Sequence, residues 1–182
     1  MRSRTTEHAP AGRAVPASSL AEQVLEDERR LLRALGTWAS GSVAAGLLLG
    51  SAARRRGRTS RRPGDDVLTG FARQTVGWGA VDAAIVVRGR RGLRSARRGG
   101  LGDDEALRRA ARLGRITAVN ALLDLGYVAV GAALARRPGR WRGDGLAVVV
   151  QGLALLLLDA RHASAARRLT SSVPDRAPSR RP

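Results

Sequence analysis

The stretch from residue 113 to 135 constrains the fold most, because it is apolar enough to cross a bilayer and yet contains a carboxylate. As a helix it would measure about 34 Å, slightly more than the hydrocarbon thickness. Asn120 and Asp124 lie four residues apart, so they share one helix face, which Tyr127 and Gly131 continue. A carboxylate near the centre of a membrane helix is costly in lipid, so this face must meet protein or water.

The charged residues are segregated from the apolar ones. All 33 basic residues are Arg, against 15 acidic residues, which gives a net charge of +18. The Arg residues stand in short blocks, and the stretches between the blocks consist mostly of apolar and small residues. This segregation is typical of a multi-pass membrane protein rather than a basic globular domain. The charge itself indicates an anionic partner, either nucleic acid or a lipid surface.

Several kinds of chemistry are excluded or disfavoured by composition. The chain has no Cys, so disulfides and thiolate chemistry are impossible, and its two His, His8 and His162, are too few for a His-based metal site. The sequence has no Ser-His-Asp set and no phosphate-binding loop, so we expect neither an enzyme nor a cofactor. A nucleic-acid binder would need aromatics among its basic residues. The chain has only five, so no nucleic-acid partner is expected.

Four apolar stretches predict an all-α, four-helix transmembrane bundle with spans near residues 34–53, 67–87, 113–135 and 144–160. The first span has no charge, and Ser42, Gly46 and Gly50 recur in it every four residues. Small residues at this spacing allow close approach of another helix, so these glycines should face a neighbour. A signal peptide cleaved after Ala53 is the alternative. It is disfavoured because the preceding region is long and acidic and three Arg follow directly.

The second span is the least apolar, because it contains Arg73 and Asp82. Each of these charges could cost about 3 kcal/mol near a helix centre. A span shortened to exclude Arg73 would be too short to cross. We therefore expect this helix to insert with help from its neighbours, with the long side chain of Arg73 reaching toward the nearer interface.

The ends of the chain differ from its middle. Residues 1–18 and the basic tail 166–182 are predicted to be disordered, which leaves one membrane domain over residues 19–165. Ser19 and Glu22 have the spacing of a capping box, which predicts a helix over residues 19–33. Its apolar stripe suits an amphipathic helix on the membrane surface, with a polar extension free of the membrane as an equal alternative. Residues 54–66, 88–112 and 136–143 are predicted loops, with a helix starting at Asp103.

The Arg distribution predicts the orientation. The N-terminal region 1–33, the second loop 88–112 and the C-terminal region 161–182 together contain 21 Arg, and the first and third loops, 54–66 and 136–143, contain ten. Arg marks the cytoplasmic side, so we expect a plasma-membrane protein with both termini in the cytoplasm. Its expected partners are the bilayer, anionic lipid headgroups contacted by the Arg-rich loops, and a second copy or another membrane protein.

Polar residues inside the spans form a candidate intramembrane layer. Its members are Trp38, Ser42, Arg73, Asp82, Asn120, Asp124, Tyr127 and Gln151. The preferred interpretation is structural, with these side chains joining helices by hydrogen bonds in a protein of structural or interaction function. The alternative is a small transporter in which Asp82 and Asp124 line a path for a solute, an ion or a proton.

One pattern recurs at an offset of 42 residues. Arg73-x-Thr followed by Asp82 matches Arg115-x-Thr followed by Asp124. Repeats of this kind occur in transporters. Chance agreement is nevertheless the favoured interpretation in a chain this rich in Arg, Ala and Gly.

Three runs together resemble a known family. They are Arg-Gln-Thr…Trp-Gly-x-x-Asp in residues 70–85, Asn-x-x-x-Asp-x-x-Tyr in residues 120–137, and Gln…Leu-Asp-x-x-His in residues 143–163. In this order they resemble a family of small actinobacterial multi-pass membrane proteins of unknown function, over roughly residues 30 to 165. The resemblance implies a four-helix membrane fold and no particular activity.

Overall fold

The computed structural model describes residues 19–59 and 64–171, and over these residues the chain is helical with no strand. Four helices follow one another: α1 (Leu20–Thr59), α2 (Asp65–Gly99), α3 (Asp103–Ala135) and α4 (Arg140–Ser171). The all-α class and the four helices are therefore confirmed. The predicted disorder of residues 1–18 and 172–182 concerns segments outside the described residues.

The capping box that starts α1 is confirmed. The Ser19 backbone N–H donates to Glu22 Oε2 at 3.1 Å, and the Glu22 N–H donates to Ser19 Oγ at 3.2 Å. From there α1 runs for 40 residues, so the predicted N-terminal helix and the first span are one element. Val24 is buried against Ala106 and Ala110 of α3. The stripe expected to lie on lipid headgroups instead packs inside the bundle.

The predicted loops are mostly helical. α1 continues to Thr59, the loop at 88–112 is reduced to residues 100–102, and α4 continues to Ser171, past the expected start of the tail at 166. Arg and Ala are both good helix formers, so Arg-rich blocks extend the helices beyond the apolar spans. The connections are instead marked by Gly64, Gly100 and Gly139, which have φ angles of 103°, 70° and 65°. These are left-handed conformations that glycine adopts without a steric penalty.

The helices form two hairpins. α1 packs along α2, and α3 packs along α4. The hairpins meet mainly where α2 lies beside α4, while α1 contacts α3 and α4 less extensively. Among the described residues, the backbones of α2 and α3 do not approach each other. The bundle is therefore open between α2 and α3.

Glycines set the distance between the helices of the first hairpin. A Cβ atom at Gly46 would lie 2.6 Å from Val76 Cγ2 and 2.8 Å from the Ala72 carbonyl oxygen. A Cβ atom at Gly79 would lie 2.9 Å from Val43 Cγ2. The predicted close approach at Gly46 is confirmed, because only a residue without a side chain fits there.

Glycines also set the distance between the helices of the second hairpin. A Cβ atom at Gly131 would lie 2.9 Å from the Gly145 carbonyl oxygen and 3.0 Å from Val149 Cγ2. A Cβ atom at Gly152 would lie 2.9 Å from Val128 Cγ2. In both hairpins, two glycines on opposite helices each meet a valine of the other helix.

These contacts correspond residue by residue. The contacting glycine and valine of α1 have counterparts in α3 85 residues later, and those of α2 have counterparts in α4 73 residues later. The corresponding pairs are Gly46 with Gly131, Val43 with Val128, Gly79 with Gly152, and Val76 with Val149. Short sequence matches accompany them, with GSVAAG at 41–46 and GYVAVG at 126–131. The bundle consists of one hairpin unit used twice.

The contact between α2 and α4 is reciprocal. A Cβ atom at Gly70 would strike the Arg140 carbonyl, and a Cβ atom at Gly143 would strike the Val67 carbonyl. Gly70 corresponds to Gly143, and Val67 to Arg140, at the same offset of 73 residues. Two mutually exchanged contacts of this kind are typical of a two-fold axis. The repeat relates α1 to α3 and α2 to α4, whereas the sequence pattern at offset 42 had paired α2 with α3.

Candidate functional site

Polar side chains lie inside the bundle and many large apolar ones lie outside. Leu48 and Leu157 are 72% and 73% exposed. The buried polar and charged residues are Ser42, Asp82, Thr117, Asp124, Asp144, Gln151, Asp159 and His162. These eight residues lie beside an apolar core of small and aliphatic side chains, and they concentrate the candidate chemistry in the interior.

Gln151 joins three helices at the centre of this interior. The indole Nε1 of Trp38 on α1 donates to Gln151 Oε1 at 2.9 Å. Gln151 Nε2 on α4 donates to Asp82 Oδ2 on α2 at 2.5 Å. Both Asp82 and Gln151 are buried. Three residues of the predicted layer are thus brought into one hydrogen-bonded group.

The α3 carboxylate lies beside this group without a hydrogen bond to it. Asp124 is buried, and its Oδ2 has no hydrogen-bond partner among the described residues. Asp124 interacts electrostatically with Asp82 and with Asp159. The side chain of Asn120 lies near Asp159, although Asn120 itself is exposed. Asn120 and Asp124 are therefore both near buried carboxyls of other helices, while Asn120 and Tyr127 on the same face are exposed.

The line of polar groups continues toward the end of the bundle that contains the start of α1. His162 interacts with Asp159, and its Nδ1 lies 3.3 Å from Asp27 Oδ1, without the alignment of a hydrogen bond. We call the whole set the polar chain: Asp27, His162, Asp159, Asn120, Asp124, Asp82, Gln151 and Trp38. Sequence reasoning missed Asp27. Its position between Val24 and Leu31, both buried, could have indicated an inward-facing carboxylate.

Three residues of the predicted layer are not members of the polar chain. Arg73, whose side chain is 62% exposed, donates from Nη2 to Asp144 Oδ2 at 2.8 Å, so it pairs with a buried acid of α4. Tyr127 is exposed, and its ring packs edge-on against Trp78 at a centroid distance of 5.3 Å. Ser42 is buried in the α1–α2 contact.

Two cavities adjoin the central part of the polar chain. The α1–α4 cavity, of about 510 Å³, is lined by Trp38 and Gln151. The α2–α3 cavity, of about 480 Å³, is lined by Asp82. Leu155 and Leu158 line both cavities. The hydrogen bond between Gln151 and Asp82 therefore joins a residue of one cavity to a residue of the other, and either cavity is large enough for a small molecule.

A second polar contact lies at the mouth of the α2–α3 cavity. Arg109 donates from Nε to Glu28 Oε2 at 2.7 Å and from Nη2 to Oε1 at 3.0 Å. This paired hydrogen bond joins α3 to α1 and raises the pKa of the Arg109 guanidinium. Among the described residues no group of three or more His, Asp or Glu could hold a metal ion.

The fold and the site define a class, that of all-helical proteins built from two repeated hairpins around a polar interior. Residues 34–160 match DUF6992, a family of unknown function, and the chain belongs to that family. No curated protein and no solved structure matches the chain. The resemblance seen in the sequence is confirmed as membership of a family of unknown function, while its actinobacterial source and membrane topology stay predictions.

Proposed function

We propose that the protein is an integral membrane protein whose four helices all cross the bilayer and whose polar chain ties the two hairpins together. The observation that supports this most directly concerns α3. Asp103–Ala135 and Arg140–Ser171 are long and apolar enough, by length and composition, to cross a membrane. Only 11% of the apolar part of α3 is buried within the protein, whereas an apolar helix in the core of a soluble protein would be mostly covered.

The other two helices continue the same apolar surface. Leu47 and Leu48 on α1, and Val81 and Ile85 on α2, are each about half exposed or more. The charges within the second span have partners on α4, Arg73 with Asp144 and Asp82 with Gln151. Partners of this kind lower the cost of charge in a membrane, which supports insertion of α2 alongside α4.

We propose the orientation from the Arg distribution. The start of α1, the connection at 100–102 and the end of α4 lie at one end of the bundle, which we call the basic end. In the sequence, the stretches expected on this side, residues 1–33, 88–112 and 161–182, contain 21 Arg, and those expected on the other side, residues 54–66 and 136–143, contain ten. By the positive-inside rule the basic end faces the cytoplasm.

Cysteine labelling tests the topology without background, because the chain has no Cys. Ser95→Cys lies at the basic end of α2, and Arg137→Cys lies in the turn at the opposite end, and both positions are exposed. In intact cells an impermeant maleimide should label Arg137→Cys and not Ser95→Cys. In lysed cells both should react, which controls for accessibility.

Three outcomes would contradict this proposal. Labelling of Ser95→Cys alone in intact cells would reverse the orientation. Labelling of both variants in intact cells would be incompatible with four spans. Release of the protein from membranes by alkaline carbonate would rule out integral insertion altogether.

A second candidate function is a path for protons or small cations. It is favoured by one observation, that the polar chain extends from Asp27 near the basic end to Trp38 within the span and adjoins two cavities. Intramembrane carboxyls arranged in this way are typical of proton relays. On this reading Asp82 and Asp124 would bind and release the transported ion.

Flux across vesicles tests the second candidate. Wild-type protein in proteoliposomes should dissipate an imposed pH gradient, and Asp124→Asn should lose this activity while it keeps the fold. Asp103→Asn, which removes an exposed carboxylate from the start of α3, should behave like the wild type. A wild type that dissipates neither a proton gradient nor gradients of the common cations would rule out the path for those ions and favour the purely structural role.

A further inference from the structure

The mouth of the α2–α3 cavity contains two guanidinium groups without a counter-ion. Arg88, Arg109 and Arg112 line the cavity, and Arg109 is engaged by Glu28. Arg88 and Arg112 are exposed, and neither has a hydrogen-bond or ion-pair partner among the residues that the structure describes. Two unpaired positive charges thus stand on helices that face each other across the opening of the bundle.

The two arginines stand at equivalent depths. Arg88 directly follows the second proposed span, 67–87, and Arg112 directly precedes the third, 113–135. Both therefore lie at the interface on the basic side, where the phosphates of the lipid headgroups are found. Basic pockets between membrane helices on the cytoplasmic side are typical binding sites for anionic headgroups.

Farther from the basic end than the two arginines, the cavity is lined largely by apolar side chains. Ile85 of α2 and Ile116 of α3 line it and are about half exposed. Farther along, the rings of Trp78 and Tyr127 meet and bridge α2 and α3. From Arg88 to Trp78 is ten residues of helix, or about 15 Å, which is half of the hydrocarbon thickness. The gap between α2 and α3 thus has the depth of one leaflet.

We propose that the α2–α3 cavity binds one anionic phospholipid from the leaflet at the basic end. Its phosphate lies between Arg88 and Arg112, and one acyl chain lies along Ile85 and Ile116 between α2 and α3. The buried carboxyls deeper in the cavity repel a phosphate, so the headgroup stays at the mouth while the chain occupies the space between the helices. This inference rests on the proposed membrane insertion of α2 and α3.

A lipid titration tests the site. Protein purified in a neutral detergent is titrated with phosphatidylglycerol or phosphatidylcholine, and bound lipid is counted by native mass spectrometry. The wild type should bind one phosphatidylglycerol in preference to phosphatidylcholine. The double variant Arg88→Gln/Arg112→Gln should bind phosphatidylglycerol about thirtyfold more weakly, from two headgroup contacts of the usual strength. Ile116→Trp, which fills the gap and keeps both arginines, should also weaken binding.

The matched control is Arg115→Gln/Arg161→Gln. It removes the same charge from α3 and α4, and both positions are exposed and outside the cavity lining. Arg161 also stands at the position of the second hairpin that corresponds to Arg88, 73 residues later. This control should bind phosphatidylglycerol like the wild type.

Three results would overturn the lipid site. The first is equal binding of phosphatidylglycerol and phosphatidylcholine. The second is an equal loss of binding in the control variant and the cavity variant. The third is complete displacement of the lipid by inorganic phosphate at concentrations like those of the lipid, which would indicate a simple anion site. Carbonate extraction separates this test from that of the proposed function. A protein that stays in the membrane and fails the titration contradicts only the lipid site, and a protein released by carbonate contradicts membrane insertion itself.

Discussion

Gly143→Ala is expected to destabilise the bundle by about 3 kcal/mol, the upper part of the usual range for overpacking. The added methyl group would strike the Val67 carbonyl and crowd the Phe71 backbone nitrogen on α2. Backbone atoms within a helix cannot rotate away as a side chain can, so the two helices must separate. Because α2 and α4 form the main contact between the hairpins, the separation affects the whole bundle. The thermal unfolding temperature in detergent should fall by about 5 to 10 °C.

Gly126→Ala is the matched control for this prediction. Gly126 is also a helical glycine, on α3, and a Cβ atom there would meet nothing within 4 Å. Ala is favoured over Gly in a helix by about 1 kcal/mol, so this variant should unfold at the same temperature as the wild type or a higher one. The two-fold relation further predicts that Gly70→Ala, at the reciprocal contact, destabilises like Gly143→Ala. Unchanged unfolding temperatures for both Gly70→Ala and Gly143→Ala would contradict the packing of α2 on α4.

The sequence predicted those parts of the structure that depend on local pattern. The four helices follow from apolar stretches, the start of α1 from the spacing of Ser19 and Glu22, and the close approach at Gly46 from the recurrence of small residues. The candidate layer included Trp38, Asp82 and Gln151, but the sequence did not predict which of its members bond to one another. In each successful case the informative pattern lies within one helix.

The ends of the helices were less predictable, because two properties of Arg lead to opposite predictions. Its charge suggests a loop outside the membrane, and its side chain also favours a helix. The charge led to predicted loops at 54–66 and 88–112, whereas α1 continues to Thr59, α2 continues to Gly99 and α3 already begins at Asp103. Glycines with positive φ mark the connections, and their conformation is not distinguishable in the sequence from that of the many helical glycines.

Contacts between helices could not be predicted from the sequence for a different reason. The partners Arg73 and Asp144 are separated by more than seventy residues, and nothing local relates them. The repeat was hidden because its two helices recur at different offsets, 85 and 73 residues, so no single shift aligns both. The difference arises because the helices of the first hairpin extend farther toward their connection, α1 by 13 residues beyond Gly46 and α3 by only four beyond Gly131. Only the packing of the glycines reveals the correspondence.

The central hydrogen bonds allow the second large effect to be predicted. Gln151→Leu keeps the size of the side chain and leaves both the Trp38 indole N–H and the Asp82 carboxyl without their partner. Intramembrane hydrogen bonds average about 0.6 kcal/mol and reach about 1.7 kcal/mol. Since two are lost at a buried position, we expect a destabilisation of about 2 kcal/mol. Gln74→Leu is the control, because Gln74 is a half-buried amide on α2 with no partner among the described residues.

A double-mutant cycle separates the hydrogen bond from the packing of the rings. Trp38→Phe removes the indole N–H and keeps an aromatic side chain, so in the wild-type background it should lower the unfolding temperature. In the Gln151→Leu background the N–H has no acceptor, and the same substitution should then cost less or even stabilise the protein. An equal cost in both backgrounds would mean that the Trp38–Gln151 bond contributes nothing to stability. The structural role proposed for the polar chain would then have to rest on the Gln151–Asp82 bond alone.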